Sequence, residues 1–177
     1  MLDKVRAFAV LAHGNQKYGE HPYSHHLDDV AGLLVAYGRE AQTIGYLHDV
    51  IEDTMVTVDD IRLRFGPLVA EGVDLLTDAP GASRTERKAG TYARMAAVVD
   101  GPLMLALIVK TADRLANVRC CVSDGKGRLW HVYRLEHAAF REAVYRPGLC
   151  DPMWDELTEL LELPMSTSQS IATASDV

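Results

Sequence analysis

A histidine and three carboxylates lie close together in the segment GYLHDVIEDT, residues 45–54. If this segment is helical, His48 and Glu52 lie one turn apart, and so do Asp49 and Asp53, so the four side chains share one patch near the helix end. The three carboxylates repel one another, which would raise their pKa values unless a cation compensates them. Imidazole and carboxylate are both ligands of divalent metals. The segment alone therefore fits two interpretations, a metal site or a solvated helix end with ordinary acidic residues.

A polar stripe interrupts the most apolar helical pattern of the chain, in the segment VKTADRLAN. Lys110, Asp113 and Asn117 follow the spacing i, i+3 and i+7, which places them on one face of a helix. Buried polar groups are costly unless they have partners, whereas a site needs such a face as one of its walls. Arg114 and Arg119 add positive charge along the same edge. We therefore favour a site wall over the alternative, the solvent-facing side of an amphipathic helix.

Three histidines in the segment HPYSHHLDDV form a further group of potential metal ligands. His25 and His26 stand at the start of a predicted helix, and His21 precedes them. A histidine at such a position is commonly a surface or capping residue, so His21 and His25 are set aside. His26 remains as the candidate ligand of this segment.

Helices must carry these groups, because apolar residues recur at helical spacing along almost the whole chain and no segment alternates in the manner of a strand. We expect an all-α fold, a single-domain helical bundle over residues 1–163. The Ser/Thr-rich tail, residues 164–177, is predicted to be disordered. Glycine and proline at 66–67 predict a break between two short helices. The predicted helical segments are residues 24–38, 39–53, 57–77 with that break, 91–99, 103–122, 128–146 and 151–163.

The composition argues against several classes of function. The chain has 177 residues, of which 48% are apolar, and a formal net charge of −7. This charge disfavours general binding to nucleic acids or anionic membranes, so an anionic small molecule would need a local basic pocket. We find no signal-peptide pattern and no membrane-spanning run. The three cysteines form no CxxC pair, and their odd number suits a reducing compartment. We predict a cytoplasmic protein, and the sequence leaves a homo-oligomer open.

The order of these motifs resembles a known family. His26, then His48 with Asp49, then Asp113 follow one another as in the HD-domain metal-dependent phosphohydrolases. The flanking segments AHGNQKYGEHPYSHHLDDV, YLHDVIEDT and IVKTADRLANVR look like the hydrolase domain of the SpoT/Rel-type alarmone enzymes, which remove the 3′-pyrophosphate of (p)ppGpp. The similarity runs from about residue 12 to residue 119, in the manner of the small stand-alone alarmone hydrolases. The resemblance implies a helical bundle of the HD-domain type.

The same resemblance implies one divalent ion, typically Mn²⁺, beside an acid–base pair. A divalent ion acidifies a water and offsets charge on the attacked phosphate, and a neighbouring carboxylate can accept the proton. The implied ligands are His26, His48, Asp49 and Asp113, and the implied acid–base pair is Glu52 and Asp53.

Further residues are expected to contact the substrate. Asn117 matches an asparagine that contacts substrate in the family, and Lys110 and Arg114 lie on or beside the same helix face. The segment ASRTERKAG supplies basic side chains that could hold a pyrophosphate, although a soluble charged loop is an equal alternative. The aromatic residues of the segment YRLEHAAFREAVYR are expected to pack in the core. The segment DAPGASRTERKAG, with its proline and glycine, is predicted to be a loop that enters the helix over residues 91–99. Its basic residues are Arg84, Arg87 and Lys88.

The chain departs from the long alarmone enzymes where the base would be recognised. Those enzymes resemble this chain but carry an arginine, which stacks on guanine, and a lysine before the Pro-Tyr pair. This chain is one residue shorter there and has Lys17 and Tyr18. Tyr18 could stack on any purine. Cys120 stands where the long enzymes usually have threonine, so adenosine alarmones compete with guanosine alarmones as substrates.

The predicted function is metal-dependent hydrolysis of the 3′-pyrophosphate of (p)ppGpp or (p)ppApp, giving the nucleotide and pyrophosphate. The alternative is an HD phosphohydrolase that acts on other nucleotides, either (d)NTPs or nucleoside monophosphates. A nucleotide sensor without turnover would have lost a ligand or the Glu-Asp pair, and a structural helical module would not bind a divalent metal. The expected partner is a small nucleotide, with no nucleic acid and no membrane.

Overall fold

The computed structural model describes residues 2–164, and most of them lie in α-helices, which confirms the all-α prediction. Within this part of the chain, β structure is limited to one two-stranded hairpin, and a 3-10 turn, Val35–Tyr37, joins two helices. The first half contains α1 (Leu2–His13), β1 (Lys17–Tyr18), β2 (His21–Pro22), α2 (Ser24–Leu33), α3 (Gly38–Leu47), α4 (Val50–Asp53), α5 (Val58–Phe65) and α6 (Pro67–Leu76). The second half contains α7 (Arg84–Ala96), α8 (Met104–Ser123), α9 (Gly127–Val144) and α10 (Asp151–Glu162).

Helix α8 lies at the centre of the bundle. It packs against α2, α3, α6, α9 and α10. Its residues Leu107 and Leu115 are completely buried, and burial of a leucine side chain contributes about 1.5–3 kcal/mol to folding. Apolar contacts on several sides therefore fix this helix, and with it the backbone of Asp113 and Asn117.

The predicted break at residues 66–67 lies between α5 and α6. Gly66 has a φ angle of +92°, in the left-handed region that favours glycine. Pro67 stands in the first turn of α6, where its missing N–H costs no helical hydrogen bond. A capping box between Thr57 and Asp60 starts α5. Local signals of this kind determine both helix ends, and the prediction is confirmed.

Three predicted helices differ from the structure. The helix expected over residues 24–38 is shorter, since α2 ends at Leu33, a 3-10 turn follows it, and Gly38 begins α3. The helix expected over residues 39–53 is interrupted, since α3 ends at Leu47 and α4 begins at Val50. The helix expected over residues 91–99 begins earlier, at Arg84. Ser83 caps it, because its side chain accepts a hydrogen bond from the backbone N–H of Glu86. The basic segment was therefore wrongly predicted as a loop, and it forms the first turns of α7.

The hairpin connects α1 to α2. Its strands pair antiparallel, with Tyr18 opposite His21, and Gly19 has a φ angle of +60° in the turn. The sequence pattern could not predict it, because two-residue strands are too short to show alternation. The hairpin holds the Tyr18 ring against His26, with ring centroids 4.6 Å apart.

Two other predictions concern the C-terminal tail and membrane-spanning segments. Of the predicted disordered tail, only Pro164 lies within the described residues. Among the described helices, none is both long enough and apolar enough to cross a membrane.

Candidate metal centre and active site

Four side chains from three parts of the bundle converge on one point. His26 lies on α2, His48 and Asp49 lie between α3 and α4, and Asp113 lies on α8. The Nε2 atoms of the two histidines are 3.2 Å apart. His48 Nε2 lies 2.9 Å from Asp49 Oδ2 and 3.6 Å from Asp113 Oδ1. His26 Nε2 lies 3.4 Å from Asp113 Oδ1 and 3.9 Å from Asp49 Oδ2. Both histidines are buried.

This donor set fits a divalent ion. Two imidazole nitrogens and two carboxylate oxygens suit first-row divalent metals. Donor atoms that bind one ion at about 2.1 Å and at right angles lie about 3.0 Å from each other. The separations given above range from 2.9 Å to 3.9 Å. Ligand atoms of His26, His48 and Asp49 all lie within 4.8 Å of one another. A divalent metal is therefore consistent with the residues present.

A bond from His48 to the backbone orients its ring and interrupts the helix. His48 Nδ1 donates to the carbonyl oxygen of Gly45 at 2.7 Å. In an uninterrupted helix that oxygen accepts from the N–H of Asp49, so the side chain competes with the backbone for it. The helix ends at Leu47 for this reason and does not run on to Asp53 as predicted. With Nδ1 protonated, Nε2 faces the other donors, as is usual for a metal-binding histidine.

Charges within the converging cluster stabilise one another. Burial alone lowers the pKa of His48, but the carboxylates of Asp49 and Asp113 outweigh it and raise that pKa to about 10. Burial alone raises the pKa of Asp113, but Lys110 and the two histidines hold it well below its usual range. The pKa of Asp49 is likewise lowered, since the charge of His48 outweighs its burial. A bound cation would take over the role of the imidazole proton.

Glu52 and Asp53 lie at the end of α4, one turn beyond Asp49. Glu52 Oε2 accepts a hydrogen bond from the backbone N–H of Asp78 at 3.3 Å. Although Glu52 is partly open to solvent, the burial of its carboxylate and the nearby charge of Asp78 raise its pKa. Asp53 Oδ2 instead accepts from Gln16 Nε2 at 2.8 Å. The two carboxylates therefore have different surroundings, which is typical of a pair with different acid–base roles.

A cleft of about 230 Å³ opens beside these groups. Acidic, imidazole and basic side chains all line it, so it can bring a bound ion and an anionic group close together. The lining residues are Tyr18, Tyr23, His26, Asp49, Glu52, Asp53, Arg84, Lys88, Lys110, Asp113, Arg114, Asn117 and Tyr133.

The α8 wall supplies two buried cations to the cleft. Lys110 Nζ lies 3.3 Å from Asp113 Oδ2. Burial alone lowers the pKa of Lys110, but Asp113 outweighs it and raises that pKa, so the ammonium stays charged. Arg114 Nη2 donates to the Tyr92 hydroxyl at 3.1 Å. Arg114 Nη1 is buried and has no hydrogen-bond partner among residues 2–164, which leaves a donor for an anionic ligand.

The α7 wall supplies two more cations, one helical turn apart. Arg84 forms two hydrogen bonds with the carboxylate of Glu136 on α9, at 2.7 and 3.1 Å. Lys88 Nζ lies 2.8 Å from Asp78 Oδ1. Two residues of the basic segment predicted to hold a pyrophosphate therefore line the cleft, while the third, Arg87, does not line it.

Three residues singled out from the sequence lie outside the cleft. Lys17 is exposed on β1. Arg87 Nε lies 3.9 Å from Asp78 Oδ2. Arg119 forms two hydrogen bonds of 2.6 Å with Glu156. Their type made them candidates, but the angular position of each side chain depends on how its element packs.

Two tyrosines line the cleft although sequence reasoning gave neither of them a place there. The Tyr23 hydroxyl donates to Asp49 Oδ2. Tyr133 was expected in the core. The guanidinium of Arg114 lies over the Tyr133 ring, 4.6 Å from the centroid of that ring. Tyrosine at helical spacing is as common in cores as in sites, so no local signal could have separated the two cases.

The residues that depart from the long alarmone enzymes lie side by side. Tyr18 lines both the cleft and a second cavity of about 410 Å³, which Cys120 also lines. The Tyr18 hydroxyl donates to Asn117 Oδ1 at 2.8 Å. Lys126 Nζ lies 3.3 Å from Cys120 Sγ and 5.6 Å from the Tyr18 ring centroid. Tyr18 therefore offers an aromatic ring to both the cleft and the second cavity.

The profile of the HD domain family matches residues 5–135. This span contains the four converging side chains and the whole α8 wall. The chain belongs to the HD domain family.

Relatives of this HD-domain chain carry names from alarmone metabolism. A Synechocystis protein named probable guanosine-3′,5′-bis(diphosphate) 3′-pyrophosphohydrolase is 38% identical over 162 residues, which cover 88% of this chain and 21% of that protein. A Brucella suis protein named GTP pyrophosphokinase rsh is 32% identical over 170 residues, covering 90% of this chain and 22% of that one. The chain thus spans about a fifth of the length of these relatives. The resemblance to SpoT/Rel-type enzymes is confirmed.

A solved structure shows the same fold. It is described as a metazoan ortholog of SpoT that hydrolyses ppGpp, and it superposes on this HD-domain chain with a TM-score of 0.74 at 23% identity. The superposition covers 90% of this chain and 92% of that one. The predicted HD-type helical bundle is therefore confirmed.

Proposed function

We propose that the protein hydrolyses the 3′-pyrophosphate of nucleotide alarmones, (p)ppGpp or (p)ppApp, with Mn²⁺ as its ion. The observation that carries this proposal is the cleft, because potential metal ligands, the carboxylates of Glu52 and Asp53 and several cationic side chains all line it. A pyrophosphate carries more negative charge than one divalent ion offsets, so a site for it needs further cations. The names of the relatives support the same reaction.

In this proposal the chain holds the ion and fixes the orientation of its ligands. When bound, the ion lowers the pKa of a water and offsets negative charge on the phosphate. The hydrogen bond to Gly45 orients the His48 ring, and the Tyr23 hydroxyl holds one oxygen of Asp49. The proposed ligands are the four converging side chains, His26, His48, Asp49 and Asp113.

Glu52 is the proposed proton acceptor. Partial burial and the charge of Asp78 raise its pKa, and a carboxylate with a raised pKa is a stronger base. Asp53, at the same end of α4, is the proposed second member of the acid–base pair. The amide of Gln16 donates to its Oδ2 at 2.8 Å and holds that oxygen in place, so Asp53 suits the orientation of a water or of the leaving group.

The cations of α7 and α8 are proposed to hold the phosphates. Arg84 and Lys88 approach the cleft from α7, and Lys110 and Arg114 approach it from α8. The free Nη1 of Arg114 is the best candidate for a direct bond to a phosphate oxygen, because a buried donor without a partner is unfavourable. Lys17 and Arg87 lie outside the cleft and have no part in this proposal.

Tyr18 and Asn117 are proposed to contact the nucleoside. Asn117 Nδ2 donates to Asp113 Oδ1 at 2.6 Å, and Asn117 Oδ1 accepts from the Tyr18 hydroxyl. Asn117 therefore connects the proposed ligand Asp113 to Tyr18. Stacking on Tyr18 suits either purine. Both guanosine and adenosine alarmones are therefore proposed substrates.

A substrate panel tests the proposed reaction. The purified chain is supplied with Mn²⁺ and then with ppGpp, pppApp, dGTP or AMP, and pyrophosphate and orthophosphate are measured separately. We expect pyrophosphate from the two alarmones in preference to the other nucleotides. Orthophosphate alone, or turnover of only dGTP or AMP, would refute the proposal and favour an HD phosphohydrolase for other nucleotides. Parallel assays with Mg²⁺, Co²⁺ and Zn²⁺ test the choice of ion.

A further inference from the structure

We infer that Gln16 positions Asp53 for the proposed reaction and that His13 holds Gln16 in place. This inference rests on the proposed function. Neither Gln16 nor His13 belongs to the converging cluster, and neither lines the cleft. Both would act through Asp53, so they are positioning residues.

The main chain of Gln16 is fixed on both sides. It lies three residues after the end of α1, and its N–H donates to the carbonyl oxygen of His13 at 3.0 Å. Its own carbonyl oxygen accepts from the N–H of Tyr23, also at 3.0 Å. The Gln16 side chain therefore starts from a defined point at the base of the hairpin.

The amide of Gln16 bridges His13 and Asp53 in one direction only. Gln16 Nε2 donates to Asp53 Oδ2 at 2.8 Å, and His13 Nδ1 lies 2.8 Å from Gln16 Oε1. An ionised carboxylate only accepts hydrogen bonds, so the NH₂ group must face Asp53 and the amide oxygen must face His13. His13 therefore donates from Nδ1.

His13 is held by its surroundings. Its ring is buried and stacks on Tyr23, with centroids 4.3 Å apart and an interplanar angle of 27°. Its Nε2 has no hydrogen-bond partner within the described part of the chain. Within the described residues, the bond to Gln16 is therefore the one hydrogen bond of the buried His13 ring, and buried polar groups usually keep at least one such partner. Tyr23 also donates to Asp49. The segment from His13 to Tyr23 therefore contacts both the converging cluster and Asp53 of the acid–base pair.

Asp53 needs such a support. It is an exposed residue at the last position of a four-residue helix, where backbone and side chain have the most freedom. A misplacement of about 1 Å at a reacting group can cost roughly a hundredfold in rate. The hydrogen bond from the Gln16 amide holds Asp53 Oδ2 in one position.

Two substitutions of Gln16 separate positioning from simple folding. Gln16→Met has a similar length but loses both hydrogen bonds. Gln16→Glu retains an acceptor for His13 but has no N–H for Asp53. In both variants we expect kcat to fall roughly ten- to a hundredfold, while KM and Mn²⁺ affinity stay near the wild-type values. Gln16→Glu should also keep the wild-type Tm, whereas Gln16→Met leaves the buried Nδ1 donor of His13 without a partner and should lower Tm.

Two further variants complete the experiment. Gln42→Met is the matched control, because the Gln42 amide also makes a side-chain hydrogen bond, to the carbonyl oxygen of Ala31 at 3.3 Å, but does not line the cleft. Its kcat should be unchanged. His13→Phe retains a ring against Tyr23 and removes the Nδ1 donor, so it should lower kcat by less than the Gln16 variants.

Each outcome decides the inference. An unchanged kcat in both Gln16 variants overturns it, and so does a fall in kcat that parallels a loss of Mn²⁺ in either variant or of Tm in Gln16→Glu, since that indicates a structural role. If the wild-type protein releases no pyrophosphate, the proposed function fails and the inference fails with it. An active wild type with unaffected Gln16 variants overturns the inference alone.

Discussion

Replacement of Gly45 by alanine is expected to push against the α2 side of the core and to disturb His48. A Cβ atom at Gly45 would lie 2.5 Å from Leu34 Cδ1, whereas carbon atoms pack at about 3.5–4.0 Å. Leu34 is completely buried, so its side chain would have to shift by about 1 Å within a closed core. The Gly45 carbonyl oxygen accepts the bond from His48 Nδ1, so a shift of α3 reaches the metal centre.

The expected magnitude is the difference of two effects. An additional methyl group in a packed core costs about 1–3 kcal/mol, whereas glycine to alanine inside a helix gains about 0.5–1 kcal/mol. We expect Gly45→Ala to lower the free energy of unfolding by about 0.5–2 kcal/mol, which for a chain of this size lowers Tm by about 1–8 °C. Gly32 on α2 is the matched control, because no atom lies within 4 Å of its added Cβ. Gly32→Ala should raise stability by up to about 1 kcal/mol.

A double-mutant cycle with Leu34→Ala isolates the steric contact. Leu34→Ala alone should cost about 2–5 kcal/mol. In that background the new methyl group enters free space, so Gly45→Ala should be neutral or stabilising, with a coupling energy of about 1–3 kcal/mol. Urea unfolding in the presence of EDTA measures these free energies, and a Mn²⁺ titration should show weaker binding by Gly45→Ala. Equal effects of Gly45→Ala in both backgrounds would refute the reasoning.

Four further predictions concern the ion, the reaction and the fold. His48→Ala should lower Mn²⁺ content and abolish the Mn²⁺-dependent rise in Tm, because it removes a ligand, whereas His131→Ala on the exposed face of α9 should change neither. Glu52→Gln should retain Mn²⁺ but lower pyrophosphate release by roughly a hundredfold or more, with Glu71→Gln as control; loss of Mn²⁺ from Glu52→Gln would contradict its role. The Mn²⁺ affinity measured by calorimetry should rise up to about tenfold per pH unit between about pH 7 and 9, because the pKa of His48 is raised to about 10 and the ion displaces its proton. An affinity that does not change with pH would count against His48 as a ligand that must lose its proton. In the metal-free protein, the stability that the protonated His48 contributes is complete below about pH 6.5 and is lost as the pH rises towards 10. Arg146→Ala should lower the free energy of unfolding by about 2–3 kcal/mol, because its guanidinium donates to backbone carbonyl oxygens at the ends of α7 and α9; an unchanged urea midpoint would contradict this.

The helical fold and the break at residues 66–67 could be predicted because their causes are local. Apolar periodicity, glycine and proline act within a few residues of themselves. The interruption at His48 could not be predicted in this way, because it depends on a side chain that competes for a backbone carbonyl oxygen. The early start of α7 was missed although its cap, Ser83, is visible in the sequence, since the glycine and proline before it favoured a loop.

The candidate site shows the same division. The order of the motifs and their family resemblance indicated which residue types belong together, and the structure brings His26, His48, Asp49 and Asp113 within hydrogen-bonding or near contact distances. The pairing of Arg84 with Glu136, which lies 52 residues further along the chain, depends on how α7 packs on α9. Sequence spacing carries no information about such a pair.

The two walls of the cleft rest on different parts of the bundle. The converging donors lie on α2, at the α3–α4 junction and on α8, and these elements pack against one another. Helix α7 packs mainly against α9 and α6, and Arg84 is tied to α9 through Glu136. Mutations at the α7–α9 contact can therefore move Arg84 and Lys88 together while the donor cluster keeps its distances. Under the proposed function, such a division allows the way in which the phosphates are held to change in evolution, while the geometry of the converging donors is inherited unchanged.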